Sequence, residues 1–357
     1  MKPVPVPPGG FRNIAVLRLS SLGDVVLSLP VVQALARAWP AATLHYWVKE
    51  EYADVVRFDP AVRHARALER DARRLEDLVS MSAELEDCDL IVDLHGSART
   101  RLLTFRQRGP VLRVRGRRLQ RERWVRARWT RPAPLPHATA RYAETLAPLG
   151  LKPESLPQAH TSAAAHDWAR GALAALGAGR PCIALCPGAR HATKCWPEER
   201  WCELEARLAG DGLGRVVLST PAEQRALPRL AAQVASATGA GWFTEPLERV
   251  TALLGASALA VTHDSGLMHL AAACGLKVVA LFGSTSPALG FAPSGEGHAV
   301  LCRELPCQPC TLHGRERCPL GHFRCMMGIP VEEVAGNVAA LLSQRGADAA
   351  PEGPPRA

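Results

Sequence analysis

The chain has 357 residues, 47% hydrophobic and 22% charged, enough for two soluble globular domains, each with its own core. No apolar run approaches the ~18 residues that cross a bilayer, and "MKPVPVPPGG" places prolines where a signal peptide has its apolar core. A membrane-spanning helix is thereby excluded, and the expected location is cytoplasmic. The net charge of +9 implies an anionic partner: nucleic acid, a nucleotide or an acidic membrane surface.

Strand and helix patterns alternate along the chain, the signature of a parallel α/β architecture. "NIAVLRL" reads as a strand, followed by a helix that starts near Asp24 and runs through "VVLSLPVVQALARAWP". "TLHYWV" is the next strand, residues 52–57 read as helical, and "DLIVDL" (89–94) is a near-continuous apolar strand. Segment 99–131 carries thirteen arginines against one acid, Glu122. An Ala-rich helix at 162–178 lies in the linker region 150–178 and leads to a second unit. There "PCIALCP", "GRVVLST", "ALAVTH" and "KVVALFG" read as strands, with "WPEERWCELEARLA", "LERVTALLGAS" and "SGLMHLAAACG" as helices. Each half is predicted to be a doubly wound unit, and the tail "GADAAPEGPPRA" is predicted to be disordered.

Ligands of open parallel sheets bind beyond the carboxyl ends of the strands, and four turns of this chain qualify. The first, Ser20-Ser21-Leu22-Gly23-Asp24, has the shape of a phosphate loop but ends in a carboxylate that would repel phosphate. Asp24 therefore caps the helix, or does chemistry on something else. The second, "PGARHATKCWP", offers Lys194 beside Thr193 and His191; an ammonium there can neutralise a diphosphate, or simply be solvated. In the third, "STPAEQ", Glu223 can accept hydrogen bonds from a ribose diol or be an ordinary exposed acid. The fourth, "THDSGLMHL", sets Asp264, Ser265 and Gly266 at a helix start whose free amides attract phosphate, with His269 on the same face. Asp264 or Ser265 as a plain N-cap over a core histidine is the alternative. Three of these turns follow consecutive strands of one half, which favours a nucleotide diphosphate site there.

Eleven cysteines are spread over the chain, five of them between Cys302 and Cys325. Cys307-x2-Cys310-x7-Cys318-x6-Cys325 in a reducing compartment suits a structural zinc, with loose reduced thiols as the alternative. A dinucleotide oxidoreductase would need G-x-G-x-x-G after a strand, and neither half has one. An RNA-binding protein would explain the arginines but not the Asp24, Lys194 and Asp264 turns.

Taken in order, "NIAVLRLSSLGDVVLSLP", "DLIVDLHGSARTRLL", "CIALCPGARHATKCWPEERW", "VTHDSGLMHLAAACGLKVVALFGSTSP" and "CQPC…C…CMMGIPVEEV" resemble the heptosyltransferases of glycosyltransferase family 9, over residues 12–340. The resemblance implies a GT-B fold: two Rossmann-like doubly wound parallel-sheet domains facing across a cleft. The acceptor-binding domain would span 11–165 and the nucleotide-sugar-binding domain 179–345, with a disordered tail at 346–357. It implies inverting, metal-independent transfer of heptose from ADP-heptose to the inner core of lipopolysaccharide; the turns alone leave another nucleotide-activated sugar open. The aspartate of "SSxGD", here Asp24, would be the base. Lys194, beside Thr193, would contact the nucleotide phosphates, and Glu223 the ribose. Asp264, Ser265, Gly266 and His269 would hold the diphosphate and sugar. His95 stands where glutamine is common in the family, and "LSTPAEQ" lacks the usual glycine. On the acceptor side Ser20 and Ser21 are expected, with Arg99 and Arg101 nearest the cleft. The arginine-rich segment would contact an anionic, lipid-anchored acceptor, dock on the inner leaflet, or be a solvated face. No nucleic acid and no catalytic cofactor are expected, and zinc would be structural only.

Overall fold

The computed structural model describes residues 3–68, 75–127, 130, 132–177 and 181–348. Among these residues eleven parallel strands form two sheets. The first is built from β1 (Asn13–Leu17), β2 (Thr43–Lys49), β3 (His64–Leu68), β4 (Leu90–Asp93) and β5 (Val111–Arg113), in the spatial order β3-β2-β1-β4-β5. The second contains β6 (Cys182–Cys186), β7 (Gly214–Leu218), β8 (Ala240–Phe243), β9 (Leu259–His263), β10 (Lys277–Phe282) and β11 (Ala299–Cys302), in the order β11-β10-β9-β6-β7-β8. Each is a doubly wound order with one reversal, between β1 and β4 in the first sheet and between β6 and β9 in the second. Crevices for ligands open at such reversals.

The inner strands are buried on both faces, which is why they read as unbroken apolar runs. Four strands escape the sequence reading, β3, β5, β8 and β11. All are edge strands of three to five residues, and none is buried along its whole length.

Three boundaries differ from expectation. The first helix, Leu22–Ala38, starts ahead of Asp24, with Ser21 in the N-cap position and no side-chain cap. Pro197 is the N-cap of helix Glu198–Gly210 rather than part of its first turn. Helix Ala163–Ala175 packs on helix Leu247–Ala256 of the second half, and its cap Ser162 donates to Glu248 Oε1 at 2.6 Å. Ser155 still bonds Gln33 of the first half, whereas Ala159 N–H donates to Ala273 of the second, so the chain crosses between these two residues. Of the expected disordered tail, residues 346–348 close the helix Val331–Asp348 and the remainder lies outside the described residues.

The halves meet where two helix N-termini touch. Helix Leu22–Ala38 packs on helix Gly266–Ala273, and a continuous apolar cluster runs beneath both sheets. The contact is reciprocal. A Cβ on Gly23 would fall 2.6 Å from His269 Cδ2, and one on Gly266 would fall 2.7 Å from Leu22 Cβ. Neither glycine is needed for its backbone angles; each is needed for this approach.

Overpacking a seam of this kind typically costs about 1–3 kcal/mol. Gly266→Ala is therefore expected to lower the urea midpoint by a matching amount, because Leu22 Cβ cannot rotate away. An unchanged midpoint would show that the helices part freely.

Candidate active site

Both reversals open into one cleft of about 1290 Å³, lined on one wall by Arg18, Ser20–Asp24 and His95, and on the other by Gly188–His191, Lys194 and Asp264–Leu267. The first wall follows β1 and β4, the second follows β6 and β9.

Asp24 is bonded through both oxygens. Arg18 Nη2 lies 2.6 Å from Oδ2, which also accepts from Ser21 Oγ at 3.1 Å; Tyr142 O–H donates to Oδ1 at 2.6 Å. Arg141 stands 3.9 Å from Oδ1. Burial opposes ionisation here, but the Arg18 guanidinium, the Tyr142 hydroxyl and Arg141 overcome it and hold the carboxyl down at about 2. Asp24 is thus ionised and ordered, and it does not cap its helix.

Across the cleft, Lys194 Nζ pairs with Asp264 Oδ2 at 2.8 Å, and Thr285 Oγ1 donates to the same oxygen at 2.6 Å. Burial raises the Asp264 carboxyl and Lys194 more than reverses it, so the net direction is down. Asp264 lines the cleft and fixes Lys194 through this ion pair. Ser265 is the N-cap residue of helix Gly266–Ala273, its Oγ buried without a protein partner among the described residues. The first amides of that helix open into the cleft as free donors. His269 lies one turn on, its Nδ1 likewise unpartnered, and burial pushes its imidazole down to about 4.

His263, at the end of β9, underlies the lysine loop. Its Nε2 accepts from Trp196 N–H at 2.8 Å, and burial drives it down to about 3. Thr193, expected to touch the donor, is instead buried and absent from the cleft lining. Its hydroxyl bonds Ser284 Oγ at 2.9 Å and accepts from Arg315 N–H at 2.8 Å, so it anchors the loop that carries Lys194. Glu223 does line the cleft, in a capping box with Thr220: its Oε2 accepts from Thr220 N–H at 2.8 Å. Gly188 makes room for it, because a Cβ there would fall 2.0 Å from Oε1.

Arg99 and Arg101 sit on the helix Ala98–Leu103 and do not line the cleft. The cleft-lining arginines of that segment are Arg115, Arg117, Arg118 and Arg121, while Arg128 and Arg131 fall outside the described residues. Two important residues carry no mark in the sequence, Arg141 and Tyr142. Arg18 and Thr285 lie inside the motif stretches quoted above. Arg141 and Tyr142 sit on the short helix Ala138–Ala143, which has no local pattern to reveal it.

The expected zinc ligands Cys307, Cys310, Cys318 and Cys325 line one small cavity with His322, and Cys307 Sγ lies 3.7 Å from His322 Nε2. All four are free thiols, and among the described residues no three His, Cys, Asp or Glu side chains are arranged to hold a metal ion. The zinc set is not assembled here. The loop is held instead by Gln308 Nε2, which donates to the carbonyls of Phe282, Gly283 and Thr285.

The imidazoles at about 4 (His95, His269) and about 3 (His263) lie below the ordinary 6.5 because burial, complete for His263 and His269 and partial for His95, disfavours the charged form. The unfolded chain therefore binds more protons than the folded one from pH 6.5 down to about 4, and stability falls as pH falls through that window. Thermal melts are expected to show Tm dropping there, before Asp24 titrates; a constant Tm between pH 6.5 and 4 would contradict buried neutral histidines.

The family model for glycosyltransferase family 9 (heptosyltransferase) matches residues 79–320. Lipopolysaccharide heptosyltransferase 1 of Pseudomonas aeruginosa is 29% identical over 314 residues, covering 84% of this chain and 86% of that protein. A family 9 glycosyltransferase structure from Veillonella parvula superposes with a TM-score of 0.77 at 20% identity, covering 93% of this chain and 97% of that one. The E. coli ADP-heptose heptosyltransferase II structure gives 0.70 at 22% identity, covering 94% and 99%. The two-sheet architecture with its shared cleft is the GT-B fold, and the chain belongs to glycosyltransferase family 9.

Proposed function

We propose that this enzyme transfers heptose from ADP-heptose to the Kdo or heptose region of the lipopolysaccharide inner core, inverting the anomeric centre. The observation that carries the reading is the division of charge across the cleft. One wall holds an ionised carboxylate, Asp24, and the other holds a partly buried cation, Lys194, beside a helix N-terminus with free amides. Inversion by a single displacement needs that separation: a base on the acceptor hydroxyl, and stabilisation of the departing diphosphate on the opposite face.

Lys194 and the Ser265–Leu267 amides answer the charge that grows on the β-phosphate as the sugar leaves. Asp264 and Thr285 fix the lysine, and Glu223 at the cleft edge suits a ribose diol. Asp24 takes the acceptor proton. A carboxylate near 2 is a weak base, so holding the hydroxyl in place supplies much of its effect. The arginines on the same wall suit the anionic sugars of the acceptor.

Asp24→Asn is expected to cut turnover by about 10²–10⁴-fold while leaving ADP affinity by calorimetry within a few-fold. Near-wild-type turnover would remove Asp24 from the role. A donor screen read by mass spectrometry separates heptose from any other nucleotide-activated sugar.

We further infer that the enzyme works at the cytoplasmic face of an anionic membrane, as a peripheral protein. No helix among the described residues is long and apolar enough to cross one. Leu102, in the last turn of helix Ala98–Leu103, and Phe105, just past its end, are 59% and 82% exposed among the exposed arginines Arg101, Arg106 and Arg108. Apolar side chains ringed by cations suit an anionic lipid surface. Flotation with phosphatidylglycerol vesicles should carry the protein up, and Leu102→Ser with Phe105→Ser should leave it behind with turnover on a delipidated acceptor unchanged. Equal flotation of both proteins would place the contact elsewhere.

A further inference from the structure

Tyr142 reaches Asp24 from an element that belongs, by its bonding, to both halves. The stretch leading to it, residues 135–138, is stitched to the segment that follows β10. Leu135 N–H donates to Ala288 O at 2.8 Å, and Ala138 N–H to Gly290 O at 2.8 Å. His137 Nε2 lies 2.9 Å from Ala292 O and therefore carries the proton, leaving Nδ1 to accept from Thr139. Gly290, at φ +85°, permits the approach: a Cβ there would meet Pro136 O at 2.5 Å.

The segment held in this way begins at Thr285, whose hydroxyl bonds Asp264, the partner of Lys194. At the other end Tyr142 O–H donates to Asp24 Oδ1 at 2.6 Å. Arg141 packs over both Tyr142 and Phe291, with its guanidinium carbon 5.0 and 5.7 Å from the ring centroids. A run of short backbone segments and hydrogen bonds therefore joins Lys194, through Asp264, Thr285, residues 288–292, the strap at 135–138 and Tyr142, to Asp24.

We propose that Tyr142 is a positioning residue for Asp24, and that residues 135–142 form an interdomain strap through which the donor-binding half sets where that carboxylate stands. The inference rests on Asp24 acting as the base. Of the side chains that bond the carboxylate, Arg18 and Ser21 belong to the same β1 turn and follow Asp24 wherever it goes. Tyr142, with Arg141 3.9 Å from the same oxygen on the same short helix, ties it to the strap and through the strap to the opposite wall. A base weakened by its cations depends on placement, and the strap supplies a fixed reference to the donor.

The test is steady-state kinetics on Tyr142→Phe, His137→Ala and the double variant, with Asp24→Asn measured alongside. A hydrogen bond to a charged group at this strength predicts a fall in kcat of about ten- to a hundredfold for Tyr142→Phe, with the donor KM within about twofold. His137→Ala, which cuts the strap away from the cleft, is expected to lower kcat in the wild-type background and to add nothing in the Tyr142→Phe background. His137→Asn, which keeps a donor for Ala292 O, should restore kcat. Should Tyr142→Phe fail to fold, the His137→Ala and His137→Asn pair decides: a kcat loss at constant KM that Asn reverses supports the strap, and an unchanged kcat overturns it. Independent, multiplying losses for Tyr142 and His137 also overturn it. If Asp24→Asn itself turns over normally, the base assignment fails and not the strap alone.

Discussion

The seam between the two helix N-termini is the constraint on which the remainder depends. Gly23 lets His269 lie against the first helix, and Gly266 lets Leu22 lie against the second. With a side chain at either position the helices would separate, and with them the two walls of the cleft. Because each N-terminus sits at a strand-order reversal, the seam brings the two crevices together as one. Asp24, in the first turn of one helix, and Ser265, capping the other, face that shared space for the same reason.

The seam creates an electrostatic division of labour. Both carboxylates beside it are ion-paired, but with opposite consequences. Asp264 fixes Lys194 through its ion pair and has its second partner in Thr285, so the wall it belongs to presents a cation and amide donors. Asp24 is paired with Arg18 and stays ionised, so its wall presents a carboxylate that a hydroxyl can approach. A phosphate-loop shape at Ser20–Gly23 therefore need not bind phosphate, since the acid at its end turns it toward a different group. The histidines between the walls are kept neutral by burial and add no charge to either.

Much of this is legible in the sequence, and the limits have physical causes. The inner strands announce themselves because burial on both faces demands unbroken apolar runs; the edge strands β3, β5, β8 and β11 do not, because one side of each is left without a neighbour. The four ligand turns are visible because strand-to-helix turns carry polar residues at fixed offsets. The partners that give those turns their chemistry are not, because Tyr142 lies 118 residues from Asp24. Thr193 illustrates the opposite error: its place beside Lys194 suggests a ligand contact, whereas its side chain turns inward to Ser284 and the backbone of Arg315. Arg99 and Arg101 mislead for a related reason, since a charge run carries no register and only the packing of residues 115–121 decides which arginines face the cleft.

On this reading the two walls of the cleft take different groups. A crystal structure with ADP soaked or co-crystallised tests it most directly. Diphosphate density is expected against Lys194 and the amides of Ser265–Leu267, with no phosphate oxygen bonded to the Ser20–Gly23 amides. Diphosphate seated in the Ser20–Gly23 turn, beside a displaced or protonated Asp24, would contradict it.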